Sequence, residues 1–402
     1  MVLNPRLISD ETFSCYSDHY RIPTECLSFY FFQPISIPLG YFLAIYPGRD
    51  EMSIEKVSYL TDMISRRTFL ESSMLVAGGA VLGGNIRPQQ ARVITVKGPI
   101  PATNMRVSLI HEHILVDFVG ADAYDPKKWN RDAVIKKVLP FLQDLKKQGC
   151  NTLVECTPAY LGRDPILLQK LSTLSGLNII TNTGYYGGSV NKYLPAHAFT
   201  ETSEQLADRW TSEFRNGIED TGIKPGFIKI SVNDQSLSEI STKLIQAAAI
   251  CHLQTGLTIA SHTGPAIPAF EQIEIVKRSG ASPAAFIWVH AQNEKDPENY
   301  VLAAKQGAWV SLDALRDENV EEYIGKLSFM KSEKCLHRTL ISHDAGWYEP
   351  HKPDGGTIRG YTTLFEKLIP GLLHAGFSKK DIAQLLEHNA AEAFGVAIRR
   401  IQ

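Results

Sequence analysis

The sequence predicts a parallel α/β domain of the (β/α)8 barrel type, and three observations lead to it. After about residue 92, short apolar runs alternate eight times with amphipathic stretches. Gly, Pro, Asn or Asp bounds most of those runs, which is how buried parallel strands read. Four histidines, one lysine and one aspartate fall at or near the ends of five of the runs. Catalytic groups of such barrels come from the C-terminal ends of several different strands.

The predicted strands are 107–110, 152–156, 178–181, 227–230, 257–261, 285–289, 308–312 and 339–342. Between them lie helical stretches. The segment 131–148 carries Ala133, Val134, Val138, Leu139, Leu142 and Leu145 at helical spacing, and 203–218 and 238–254 are similar. A doubly wound sheet alternates in the same way, so periodicity alone leaves both architectures open and the site residues must separate them. No GxGxxG or P-loop follows the first strands, which removes a nucleotide-binding sheet from consideration.

Length and composition agree with one large domain. The chain has 402 residues, 44% of them hydrophobic and 21% charged, with a formal net charge of −2. One barrel takes roughly 250 residues or more. Such a charge steers the chain toward neither nucleic acid nor an anionic membrane surface. The six cysteines, Cys15, Cys26, Cys150, Cys156, Cys251 and Cys335, form no CxxC pair and read as buried small hydrophobes.

Ahead of the barrel, residues 65–70 read Ser-Arg-Arg-Thr-Phe-Leu and an uncharged Ala/Gly/Val/Leu-rich stretch follows from Ser72 to Gly84. Paired arginines before a mildly apolar segment resemble a bacterial twin-arginine export signal. Met63 stands two residues before Ser65, where a signal of this kind would start. The expected organisation is therefore 1–62 as a mis-extended or unstructured N-terminus, 63–92 as signal and linker, and 93–402 as the barrel. A membrane span over 27–46 is the competing reading; Pro34, Pro38 and Gly40 interrupt it. Export places the expected location in the periplasm.

His111 and His113 close the first strand, Lys229 lies in the fourth, His262 ends the fifth, His290 the sixth and Asp344 the eighth. Residues two apart on a strand point to one side, so His111 and His113 can reach a single metal ion while Glu112 points into the helix layer. Alone, each histidine is more often a satisfied core residue. Lys229 in an apolar strand is harder to dismiss, because a buried ammonium is expensive unless paired or neutralised.

This order of residues resembles the binuclear amidohydrolases, and the surrounding text resembles their phosphotriesterase branch. The stretches that carry the likeness are His111-Glu-His-Ile114, Leu161-Gly-Arg-Asp164, Thr183-Gly-Tyr-Tyr186, Ile228-Lys-Ile230, Ser261-His-Thr-Gly264, Ser342-His-Asp344 and a closing Asn389-Ala-Ala-Glu-Ala-Phe394. The resemblance implies that His111, His113 and Asp344 bind the more buried of two divalent metal ions and His262 and His290 the more exposed one. It implies that Lys229 takes up carbon dioxide and bridges the pair as an N-carboxylated lysine. Imidazole and carboxylate ligands suit zinc, with manganese, cobalt or iron as alternatives.

The implied activity is a binuclear metal-dependent hydrolase. A metal-bridged hydroxide would attack a phosphotriester, lactone or carboxylic ester, Asp344 acting as general base and Tyr186 standing near the substrate. Packing in a Gly-rich turn is the equal alternative for Tyr186. One departure from lactone-cleaving relatives is Ala314, in Leu312-Asp-Ala-Leu-Arg316, where they carry arginine. Trp347 and Tyr348 are expected to form an aromatic pocket wall, and His343 to support Asp344 or to face the other side of its strand. The expected partners are a small-molecule substrate, the translocation machinery and a second copy of the chain. A non-catalytic barrel that binds a small molecule is the alternative function; retention of all six ligand-type residues argues against it.

Overall fold

The computed structural model describes residues 91–401. The export signal and residues 1–62 lie outside the described residues, as do Cys15 and Cys26. No helix among the described residues is long and apolar enough to cross a membrane.

The described chain opens with an antiparallel hairpin, β1 (Arg92–Thr95) and β2 (Gly98–Pro101), which the periodicity did not announce. The strands β3 (Ser108–Glu112), β4 (Thr152–Glu155) and β5 (Asn178–Ile180) then pair in parallel. A second parallel sheet runs through β6 (Asn182–Thr183), β7 (Phe227–Ser231), β8 (Ile259–His262), β9 (Phe286–Val289), β10 (Trp309–Leu312) and β11 (Thr339–Ile341). Only Thr181 separates β5 from β6, so the two are consecutive pieces of one strand. At the other edge the Asp344 amide donates to the His111 carbonyl oxygen at 3.0 Å and the His113 amide to that of Ala345 at 2.9 Å. The eight strand positions read from the sequence are all present, each boundary within two residues. A parallel α/β fold consistent with a (β/α)8 barrel results.

Helices follow the strands for local reasons. The helix Arg131–Lys147 starts where the Asn130 side chain accepts from the amides of Asp132 and Ala133, and it buries Val134, Val138, Leu142 and Leu145. The helix Ser203–Asn216 opens with a capping box between Thr202 and Gln205 and buries Leu206, Ala207 and Trp210. The helix Glu239–Thr255 is capped by Ser238 and ends at Gly256, whose φ of 79° is left-handed.

Two hydrophobic layers follow from the strand pleat. Ile110, Val154, Ile180, Phe227, Ala260, Ile287, Trp309 and Leu340 share one inner cluster, closed by Val93 of the hairpin and Phe394 near the C-terminus. Their neighbours Leu109, Leu153, Ile179, Ile228, Ile259, Trp288, Val310 and Ile341 pack outward against the helices. The inner cluster fills one end of the strands and leaves the other end to polar groups. One strand breaks the alternation: β3 shifts register against β4 between Leu109 and Glu112. Such a bulge re-aims side chains. Here Ile110 sits in the inner cluster while the next residue, His111, also faces inward.

Candidate metal centre

All six residues singled out as ligands, together with Tyr186, line one cavity of about 80 Å³ at the C-terminal ends of the strands. Four imidazoles crowd together there. The ring centroids of His262 and His290 lie 4.4 Å apart, those of His111 and His290 5.0 Å, and those of His111 and His113 5.4 Å. Asp344 Oδ1 lies 3.0 Å from His113 Nε2 and 3.7 Å from His111 Nε2. The 3.0 Å contact does not have the direction of a hydrogen bond, so Oδ1 is a buried acceptor with no donor. Lys229 Nζ is likewise buried and without a hydrogen-bond partner.

The histidine tautomers follow from a residue that the sequence reading passed over. Asp313, just past β10, is fully buried. Its carboxylate lies 2.7 Å from His290 Nδ1 and 3.1 Å from His111 Nδ1, and it accepts from Ser311 Oγ at 2.6 Å. Burial alone would raise its carboxyl, but His290, His111 and these hydrogen bonds hold it well below the ordinary range, so it stays ionised. An ionised carboxylate only accepts, so both Nδ1 atoms donate, and each ring in its neutral form keeps its lone pair on Nε2. Although Asp313 lies close enough to His111 and His290 to be counted as a ligand with them, its oxygens are already satisfied, and it supports the two rings instead.

Burial drives His111 down to about 4, with Lys229 adding to the effect. Burial, then His290 and Lys229, drives His262 well below its usual value. Burial works the same way on His290 and is the largest single influence, but the charge and hydrogen bond of Asp313 together with the charge of Asp344 outweigh it, and the net shift is upward. Burial also lowers Lys229, favouring the neutral amine. Among neighbours, Glu155 is buried and pushed up to about 7 by desolvation; it accepts from the amides of Ile114 and Thr157.

Local sequence explains how the backbone delivers these groups. Gly184 has φ of 110°, and a Cβ there would overlap the Lys229 carbonyl oxygen. The Thr183-Gly-Tyr-Tyr186 turn therefore lies directly on β7, which brings Tyr186 Oη 3.2 Å from both ring nitrogens of His262. His290 and Asp344 adopt left-handed φ of 60° and 55°, and strained backbone of this kind gathers at functional sites. Glu112 points away from the cavity, as its strand position predicted. It accepts from His343 Nδ1 and Ser342 Oγ, each at 2.8 Å, and from the Ala345 amide at 2.8 Å. His343 thus faces the opposite side from Asp344 and ties β3 to the turn after β11.

Val116, Phe118, Leu161, Tyr193 and Trp347 complete the cavity wall, with Cys156 and Ser189. Trp347 is in the wall as expected, but Tyr348 is not. The Tyr348 amide donates to the Ile114 carbonyl oxygen, and its ring is packed into the outer core, where it covers Gly355. Arg316 is exposed and does not stand in for the arginine missing at Ala314. Instead Arg359, on the loop after β11, donates to the carbonyl oxygens of Leu315, His343 and Asp344. Arg163 of the Leu161-Gly-Arg-Asp164 stretch forms a bidentate pair with Glu213 at 2.7 and 2.8 Å and does not line the cavity. Among the described residues, all four cysteines are buried and free.

The model of the phosphotriesterase family matches residues 91–394. The chain belongs to the phosphotriesterase family. A phosphotriesterase homology protein of Escherichia coli K12 is 27% identical over 71% of this chain and 97% of its own length. An aryldialkylphosphatase of Saccharolobus solfataricus is 25% identical over 74% and 98%. An N-acetyltaurine hydrolase of Dictyostelium discoideum is 27% identical over 71% and 79%. The family match runs from the first hairpin to the end of the Asn389–Phe394 helix and contains every cavity residue named above.

Proposed function

We propose that this phosphotriesterase-family chain is a binuclear metal-dependent hydrolase of ester-type bonds. The observation that carries the reading is the convergence of four imidazoles, an undonated Asp344 oxygen and an unpartnered Lys229 Nζ on one cavity. Imidazole nitrogens and a carboxylate oxygen that converge on one cavity suit cations. His111, His113 and Asp344 would hold one ion, and His262 and His290 the other. A neutral Lys229 amine would add carbon dioxide, forming an N–C bond and releasing a proton, and the carbamate would be shared between the ions. Two divalent cations, zinc being the expected metal, supply Lewis acidity and make bound water acidic near neutral pH.

The chain's own groups then have distinct parts. Asp344 accepts the proton that leaves the attacking water. Tyr186 Oη, beside His262, is placed to donate a hydrogen bond to a substrate oxygen. Asp313 holds two of the rings with Nε2 inward. Phe118, Tyr193 and Trp347 seat an apolar substituent and keep bulk water out. Two of the named relatives support a hydrolase but differ in substrate by name, one an aryldialkylphosphatase and the other an N-acetyltaurine hydrolase. The test is a panel of phosphotriesters, lactones, aryl esters and N-acyl amides with zinc- and bicarbonate-loaded protein. Turnover of an ester that chelation abolishes is expected; a protein that retains no metal overturns the reading. Residues 63–92 complete the proposal as a twin-arginine signal to the periplasm. A fusion of these residues to a passenger checks this: export should stop when Arg66 and Arg67 both become lysine.

A further inference from the structure

The turn that carries Asp344 holds two non-glycine residues in left-handed backbone. Asp344, Gly346 and Trp347 have φ of 55°, 100° and 76°. Only glycine adopts such values freely, so Asp344 and Trp347 need outside support. A Cβ at Gly346 would overlap the His113 carbonyl oxygen and Tyr361 Oη, so this turn packs directly on the chain where it leaves β3. Trp347 takes part in two ways. Its ring lies in the cavity wall, 5.3 Å from the His113 ring and 5.5 Å from Phe118. Its indole Nε1–H donates to the Asp344 carbonyl oxygen at 2.9 Å, an oxygen that Arg359 also holds.

We propose that Trp347 is a positioning residue for Asp344 as well as a wall of the substrate cavity. The indole N–H holds the left-handed Asp344 backbone so that the carboxylate stays directed at His111 and His113. One side chain thereby joins the surface that meets the substrate to the residue that meets the metal. A purely structural wall needs the ring and not its N–H, so the two roles separate by substitution. The inference rests on the hydrolase reading above.

Trp347→Phe keeps an aromatic face in place and removes the donor; Trp347→Leu removes both. With zinc-loaded protein and the best ester of the panel, Trp347→Phe should lower kcat roughly three- to tenfold, the loss expected for one hydrogen bond. KM should stay within about twofold of wild type, since the wall survives. Zinc release to a chelator should quicken by a similar factor, which reads the Asp344 position without turnover. Trp347→Leu should show the same defects and raise KM as well. Wild-type kcat and zinc retention in Trp347→Phe overturn the positioning role. Absence of zinc binding in the wild type overturns the hydrolase reading itself, so the two failures are distinguishable.

Discussion

Asp313 Oδ1 lies 2.7 Å from His290 Nδ1, and the same carboxylate reaches His111 Nδ1 at 3.1 Å across the strand ends. One buried anion therefore orients two imidazoles that the proposal assigns to different ions. Such outer partners of metal-binding histidines fix tautomer and ring orientation.

Asp313→Asn should weaken both metal positions together. The two imidazoles meet different oxygens of Asp313, so an amide in its place keeps an acceptor toward one and presents N–H to the other. Metal affinity and turnover should fall about 10- to 100-fold. Metal content by elemental analysis and titration with zinc check it. Loss of one ion with the other held at wild-type affinity would show that the two positions are not linked through this carboxylate.

Lys229→Ala should lose both ions or hold them about 100-fold more weakly, because the shared ligand is gone. Acetate or propionate supplied with metal should restore part of the turnover by filling the space. Lys229→Arg should not be rescued, since a guanidinium stays charged and occupies the site. Metal stoichiometry and turnover are measured with and without carboxylate. Two ions and full turnover in Lys229→Arg would make the lysine structural.

Arg163→Lys should cost stability and leave the metal centre intact. Arg163 is buried, paired with Glu213 through two bonds and with Glu219 at 3.2 Å, and it also donates to the Asn182 carbonyl oxygen. An ammonium cannot reproduce the planar fork. Glu213 also accepts from Thr183 Oγ1 at 2.6 Å, so its displacement disturbs β6. A loss of about 2–4 kcal/mol in urea unfolding is expected, below the full cost of breaking a buried pair because Glu219 is exposed. Unchanged stability with reduced metal content would place Arg163 in the site instead.

His252 should make stability fall with acid. It packs between the end of its helix and the C-terminal segment. Nδ1 donates to the Leu257 carbonyl oxygen at 2.8 Å, and Nε2 accepts from the Arg399 amide at 3.0 Å. Burial lowers its pKa in the folded state, so the unfolded chain binds the extra proton first. Its contribution is complete above the unfolded value, about 6.5, and is lost as pH falls from there through the depressed folded value. Urea midpoints at pH 7.5 and 5.5 should therefore separate more in the wild type than in His252→Gln. Equal separation in both would remove His252 as the source.

The sequence by itself determined the eight strand positions, the main helices and the identity of the groups that meet in the cavity. Those are local properties. A pleat of period two, a cap such as Thr202 with Gln205, and a ligand-type residue at a strand end are each written within a few residues. Closure of the strands, the bulge that turns His111 inward beside Ile110, and the hairpin Arg92–Pro101 were decided by tertiary structure. So was the burial of Tyr348, which an expectation from its neighbour Trp347 placed in the wall. Asp313 shows why. In sequence it is an ordinary acidic residue after a strand, 23 positions from His290 and 202 from His111. Only when β10 lies beside β9, and β11 meets β3, does its carboxylate fall between two imidazoles in the buried interior, where an acceptor becomes an anchor.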